Sequence, residues 1–385
     1  MRGLWHCASL LLAAALGLGA GAPAAAQSES EADGLAELLG GGDVAGFSRA
    51  TRPHPFSFPS DHAAHPGYRN EWWYFTGNLA TDAGRPFGFE LTFFRIGLNS
   101  GGMLSDASSA WRSDQLLLAH FAISDIDGER FRYAQRYSRV ALGLAGYRRE
   151  PFSLWLEDWT LRHDPATDTF EISAADAEIS MQLQLRPQKP PVLNGDRGLS
   201  QKSAAAGNAS HYYSLTRLDT RGELRVGGAN FEVSGNAWMD REWSTSALAD
   251  DQVGWDWFAL QFSDGSELMY YQLRRADGDT DPHSAGTYVD RDGVATHITA
   301  GEVELEVLDD WDSPRGGVYP ARWALRVESL GLDVTVVPRL ADQELATFPR
   351  YWEGAVEVSG TRQAERVSGL GYVELTGYAD RPLPQ

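Results

Sequence analysis

Two short stretches set carboxylates among large aromatic rings. "WMDREW" (238–243) carries Asp240, Arg241 and Glu242 between tryptophans, and "WDWF" (255–258) carries Asp256 between Trp255 and Trp257. A carboxylate against apolar surface loses hydration, which disfavours its charged form and raises its pKa. An acid that keeps its proton near neutral pH can serve as a general acid. Side chains alternate along a strand, so Asp256 shares a face with Phe258, Leu260 and Phe262, opposite Trp255, Trp257, Ala259 and Gln261. Asp256 is therefore the expected proton donor. Its structural alternative is to accept hydrogen bonds from an arginine, a tryptophan or a backbone N–H. The same alternation puts Asp240 with Glu242, and Arg241 with Trp243. Either acid could orient a water or partner Asp256; the alternative is an ion pair bracing the junction between two units. In "NEWWYFTGNL" (70–79), Glu71 falls with Trp73, Phe75, Gly77 and Leu79. It reads as a structural brace paired with an arginine, Arg95 or Arg69.

Other chemistries lack their signatures. There is no G-x-x-x-x-G-K-[ST] phosphate loop, no H-E-x-x-H zinc motif and no G-x-S-x-G nucleophile elbow. "DHAAH" offers Asp61, His62 and His65, but a site without thiolates needs further ligands. These histidines are expected to bond a neighbouring turn, and neither a metal nor a cofactor is expected. Cys7 is the only cysteine.

The elements that must position these acids read as β-strands. From about Phe56, runs such as "FGFELTFFR", "LLLAHFAISDI", "AEISMQLQLR" and "ELMYYQLRR" alternate with turns such as "TDAG", "DIDG" and "SDGS". Many short strands at even spacing predict a sandwich or barrel. A Gly- and Pro-rich segment at 186–210 interrupts the pattern as a long insertion, a kind of loop that is usually functional or disordered. "WWYF" (72–75) and a strand ending at Arg95 resemble "WDWF" and a strand ending at Arg274. "FEVSGNAWMDREW" likewise resembles "VEVSG…GYVELTGY" (356–378). The chain therefore divides into units at 50–248 and 252–382, with Trp73 standing where the second unit has Asp256. Glu71, Arg241, Arg95 and Arg274 are the expected structural charges.

Residues 1–26 read as a secretory signal peptide. Arg2 precedes a short apolar run, Leu10 to Leu18, and "APAAAQ" offers cleavage after Ala26. The run is shorter than the roughly 20 residues a membrane span needs. Residues 27–49 form a small, acidic linker. Cleavage takes Cys7 away, and with it any disulfide or thiolate chemistry. It also removes one of 33 Lys+Arg, leaving 32 against 53 Asp+Glu, a net charge of −21. Without a basic patch, nucleic acid and anionic membranes are poor partners. The 13 Trp, 14 Tyr and 16 Phe supply either a large core or a ring-lined ligand cavity. A soluble periplasmic or secreted protein without a transmembrane anchor is expected.

"EWWYFTGNL", "NGDRGLSQKS…ASHYYSLTRL", "GNAWMDREWS", "GWDWFALQFSDGSELMYYQLR", "YWEGAVEVSG" and "GYVELTGY" together resemble the secreted AttH / carotenoid 1,2-hydratase (hydroxyneurosporene synthase) family, from about residue 56 to 380. The resemblance implies an all-β fold of two lipocalin-like antiparallel barrels packed together. It also implies a hydrophobic ligand, isoprenoid, carotenoid or lipid, and cofactor-free addition of water to an alkene. On this reading Asp256 protonates the alkene, with Trp243, Trp255, Trp257, Tyr271 and Trp73 as ligand-binding rings. Cation–π contact contributes roughly 0.5–2 kcal/mol per ring. Glu242 or Asp240 would take the proton of the adding water. Where the hydratase branch resembles "D-H-E-W", this chain has "D-R-E-W": Arg241 is a fixed cation in place of a titratable histidine. The alternative functions are a non-catalytic lipid carrier or a lipoprotein-trafficking accessory with an envelope transport partner; a hydrolase reading lacks a nucleophile motif. An Asp256 aimed into a closed apolar cavity favours the enzyme, and one consumed by an arginine favours the carrier.

Overall fold

The computed structural model describes residues 44–100, 113–245 and 248–379. The expected signal peptide and most of the expected linker lie outside these residues. Among the described residues every regular element is a β-strand or a single 3₁₀ turn, and none is a helix long and apolar enough to cross a membrane.

The first sheet contains β1 (Asn70–Ala80), β2 (Pro86–Gly97), β3 (Gln115–Asp125), β4 (Arg130–Arg139), β5 (Ala145–Arg148), β6 (Ser153–Leu156), β7 (Trp159–Asp164), β8 (Thr169–Ala175), β9 (Ile179–Pro187), β10 (Val192–Leu193), β11 (Leu199–Gln201), β12 (Ala209–Val226) and β13 (Ala229–Ser244). The second contains β14 (Gln252–Phe262), β15 (Glu267–Arg275), β16 (Ala285–Val289), β17 (Ala295–Thr299), β18 (Val303–Asp312), β19 (Val318–Val327), β20 (Leu332–Pro338), β21 (Glu344–Leu345), β22 (Tyr351–Arg362) and β23 (Glu365–Leu375). The protein is all-β, with two lipocalin-like antiparallel barrels packed together. The first sheet comes nearly round on itself, and the second is a half-barrel.

Strand order repeats between the sheets. The first runs β4-β3-β2-β1-β13-β12-β9-β8-β7 before adding β6 and β5; the second runs β17-β16-β15-β14-β23-β22-β20-β19-β18. Each position in one list has a counterpart in the other, so β1 corresponds to β14 and β13 to β23. The insertion at 186–210 is ordered: β10 and β11 pair with β12.

Burial follows what each strand faces. In β9, "ISMQLQLRP", Ile179, Met181, Leu183 and Leu185 are buried, while Gln182, Gln184 and Arg186 are exposed. That alternation marks a strand with core on one side and water on the other. In β1 nearly every residue is buried, because one face meets the first barrel's core and the other meets the second sheet. Trp73, Phe75 and Leu79 point inward. Tyr74 joins Tyr212, Trp238, Trp257, Tyr271 and Tyr372 in a separate apolar cluster between the sheets.

That seam brings β1 against β23, β2 against β22 and β12 against β14. Gly88 permits a close approach there, since a Cβ would lie 2.8 Å from the Cβ of Ala355. Side chains also satisfy backbone groups across it. Asn78 Nδ2 donates to Gly371 O at 2.9 Å, and Gln261 Nε2 donates to Thr216 O at 2.8 Å and Ala237 O at 3.0 Å.

Candidate functional site

A cavity of about 130 Å³ opens in the seam. It lies against the outward faces of both sheets, not inside either barrel. From the first sheet come Trp72, Tyr74, Tyr212, Asp240 and Glu242; from the second come Trp255, Trp257, Tyr271, Tyr351, Glu353 and Glu374. Alternation explains the selection. Trp255 and Trp257 take the outward face of β14, and Asp240 and Glu242 that of β13, while Phe258, Leu260 and Phe262 fill the second core.

Four carboxyl groups face this cavity, and burial acts on them differently. Asp240 is pushed up to about 7 by burial, although three donors oppose the shift. Ser214 Oγ donates to its Oδ1 at 2.5 Å, Trp238 Nε1 to the same oxygen at 2.7 Å, and the Tyr212 hydroxyl to Oδ2. Tyr212 is in turn held by Trp257 Nε1 at 3.1 Å. Glu374 is pushed up to about 8 by burial, with the charges of Asp240 and Glu242 adding to the rise. Trp255 Nε1 donates to its Oε1 at 2.9 Å, leaving the other oxygen to carry the proton. Glu353 is raised well above the carboxylate range by burial and then by Glu90 and Glu374. The Tyr74 and Tyr351 hydroxyls face the Glu353 carboxyl and Thr92 faces that of Glu90, but these contacts lower each pKa less than burial raises it. Glu90, buried on β2 of the opposing sheet, is itself raised to about 8 by burial. Acids whose pKa values are raised by burial occur more often at functional sites than elsewhere.

Glu242 differs from these three. Its Oε1 stands 3.3 Å from the Nζ of Lys202. Burial opposes the charge on Lys202, but Glu242 and Tyr271 outweigh burial, so its pKa is raised. The ammonium lies 4.0 Å from the ring centroid of Tyr271 and 5.3 Å from that of Tyr212. Lys202 follows β11 in the ordered insertion, whose Ser200 also bonds the Tyr271 hydroxyl at 2.9 Å. The insertion thus supplies the cavity's cation.

The residues singled out from sequence separate into two groups. Asp240, Glu242, Trp255, Trp257 and Tyr271 converge on the cavity. Asp256 does not reach it, which corrects its expected role as proton donor. It faces the second barrel's interior, where Arg274 Nε donates to its Oδ1 at 2.9 Å and the Tyr378 hydroxyl to its Oδ2 at 3.0 Å. Its face is apolar because it is core, and a guanidinium from the next strand supplies the countercharge. Trp73 and Trp243 likewise lie in the first barrel, not at the cavity. Trp243 is fully buried and stacks on His65 at 3.8 Å.

Glu71 sits between Arg95 and Arg241, whose Nη2 donates to Glu71 Oε2 at 2.5 Å. Burial alone would raise this carboxyl, but the two guanidiniums hold it well below the usual range. Arg241 lies 3.9 Å from the ring centroid of Trp73. It therefore points into the first barrel, away from the cavity, so its replacement of a histidine leaves the cavity wall unchanged. Near the same barrel, Asp61 is bracketed by His65 Nε2 at 3.1 Å and His54 Nε2 at 3.2 Å, while His62 turns away to Tyr213. Arg241 donates to His65 Nδ1 at 3.2 Å. That leaves the proton on Nε2, where it bonds Asp61, so this nitrogen offers no lone pair to a metal.

Sequence reasoning overlooked Glu90, Glu353, Glu374, Lys202 and Tyr212. For Glu374 a signal existed. Tyr74 pairs with Asp240 as Trp257 pairs with Glu374, so the repeat puts the two acids at equivalent places.

Two barrels of common topology, joined along a seam that holds rings and buried acids, define a class of lipocalin-like proteins with paired barrels. The chain belongs to the AttH-like family, whose model matches residues 49–378. The crystal structure of a Nitrosomonas europaea protein described as an AttH is 32% identical and superposes with a TM-score of 0.77, over 86% of this chain and 100% of that one. Kievitone hydratase from Nectria haematococca shares the fold at 14% identity and a TM-score of 0.64, over 87% of this chain and 98% of its own. No match was found among curated proteins.

Proposed function

We propose that the seam cavity binds the apolar end of a hydrophobic molecule, isoprenoid or lipid, and adds water across its double bond without a redox cofactor. The observation that carries this reading is the presence in one cavity of a carboxyl raised to about 8, Glu374, and the rings of Trp255 and Trp257. A volume of about 130 Å³ is near the ~150 Å³ of an engineered apolar cavity that takes up benzene. It suits the terminus of a long ligand, not the whole of it. The fold shared with a protein named as a hydratase adds support.

In the first step the O–H bond of Glu374 breaks and a C–H bond forms at one alkene carbon. The cation left on the neighbouring carbon is stabilised by the ring faces and by Glu242. Water then forms the C–O bond, its surplus proton passes to a carboxylate, with Glu242 or Asp240 as base, and that acid releases the proton to solvent while Glu374 takes one back, which restores both groups. The sum is one water added. Export to the periplasm or the medium through residues 1–26 belongs to the same reading and is tested by cell fractionation.

The deciding experiment extracts and weighs whatever co-purifies with the protein, then incubates it with the protein in ¹⁸O-labelled water. Label in the product that disappears with Glu374→Gln supports hydration. A ligand recovered unlabelled by both proteins supports a carrier, the reading that the Asp256–Arg274 pair favours.

A further inference from the structure

The cavity already holds a cation of its own. The Lys202 ammonium lies over the rings of Tyr271 and Tyr212 and 3.3 Å from a Glu242 oxygen. Trp255 and Trp257 close the same space, and three more carboxyl groups face it. Among the described residues lining it, Lys202 is the only cation, and no guanidinium is present to receive a phosphate or carboxylate. Ring faces carry negative potential, and rings grouped around one point are the usual receptor for an alkylated ammonium.

We infer that the seam cavity is a cation cage that binds an ammonium group on an apolar chain in preference to a neutral or anionic group of similar size. The inference rests on the proposed hydration for its purpose, since a group that attracts a fixed positive charge also stabilises one that develops on carbon. The ligand class follows. It is a neutral alkene that becomes cationic in reaction, or an amine that is cationic already, and not a diphosphate ester. Lys202 acts as the resident occupant. It balances Glu242 when the cavity is empty and competes with an incoming ammonium for the same rings.

The test measures binding to the full chain by calorimetry, with n-octyltrimethylammonium, 1-octanol and octanoate as probes of equal chain length. The ammonium should bind about tenfold more tightly than either of the others, the gain expected from one or two cation–ring contacts. Lys202→Met should strengthen ammonium binding about tenfold further, and by more than it changes octanol binding. Equal affinity for octanol or octanoate overturns the inference, as does unchanged ammonium affinity in Lys202→Met, or a failure of all three probes to bind. Label incorporation from water is scored separately. An ammonium preference without label would remove the hydration reading and keep the cage; labelled product without the preference would do the reverse.

Discussion

Replacing Glu374 with glutamine should stabilise the protein and abolish its chemistry. With its pKa raised to about 8 against the ordinary 4.5, Glu374 is mostly protonated at pH 7, where an unperturbed glutamic acid is almost wholly ionised. The same shift has a stability cost. Between pH 4.5 and about 8 the unfolded chain binds fewer protons at this site than the folded chain, so stability falls as pH rises through that window. A displacement of about 3.5 units corresponds to at most ~5 kcal/mol. Glu374 keeps some accessibility and shares its burden with Glu90 and Glu353, so roughly 2–5 kcal/mol is expected. Glutamine keeps the oxygen that accepts from Trp255 and never ionises. Melting curves at pH 4 should therefore coincide, while at pH 9 the variant should melt about 4–10 °C higher, at ~2 °C per kcal/mol. Turnover, followed as ¹⁸O uptake, should fall by roughly 10²–10⁴, the usual worth of a general acid. In the parent it should decline as pH rises past about 8. A variant that melts with the parent at pH 9, or one that hydrates at the parental rate, would refute the reasoning.

Three further outcomes are expected. Glu71→Gln leaves Arg95 and Arg241 buried without a countercharge, so stability should drop by about 3–5 kcal/mol in urea titrations at pH 7; a loss below ~1 kcal/mol would contradict the brace. Its depressed pKa makes that contribution full above the ordinary 4.5 and lost as acid protonates the folded carboxyl. Asp256→Asn should lower the melting temperature yet leave turnover per folded molecule within about twofold, since effects on a group outside the site are structural; a large loss of rate would return Asp256 to the chemistry. His62 and His120 are each lowered to about 3 by burial, so stability should rise with pH from about 3 to 6.5. His120→Gln should flatten part of that slope, and an unchanged slope would show that His120 does not contribute.

The fold was legible because strand alternation is a local property. "ISMQLQLRP" announces one wet face and one dry face, and the recurrence of "WWYF" in "WDWF" announces the repeat. Assigning each face to its surroundings was harder. The Asp256 face is apolar, as its neighbours predict, but apolar meant barrel core, and Arg274 reaches it only through the pairing of β14 with β15. The acids that line the seam cavity lie on the other face, among the tryptophans opposite Asp256. Glu353 and Glu374 lie in "YWEGAVEVSG" and "GYVELTGY", where nothing nearby looks catalytic. Their raised pKa values depend on a sheet more than 100 residues away in sequence, because Glu90 becomes the neighbour of Glu353, and Asp240 that of Glu374, only when the seam closes. Desolvation by a distant surface leaves no trace in local pattern.

Placing the cavity between the sheets also separates two pressures that usually conflict. Each sheet keeps its own core, with Trp73 and Phe75 in one and Phe258 and Trp323 in the other. Substitutions at Tyr212, Trp257 or Glu353 therefore alter a shared surface without emptying either core. A lineage built this way can trade one ligand for another through a handful of outward-facing positions, with both barrels serving as unchanging walls. A duplicated fold thus gives chemistry a place to vary that neither copy possesses alone.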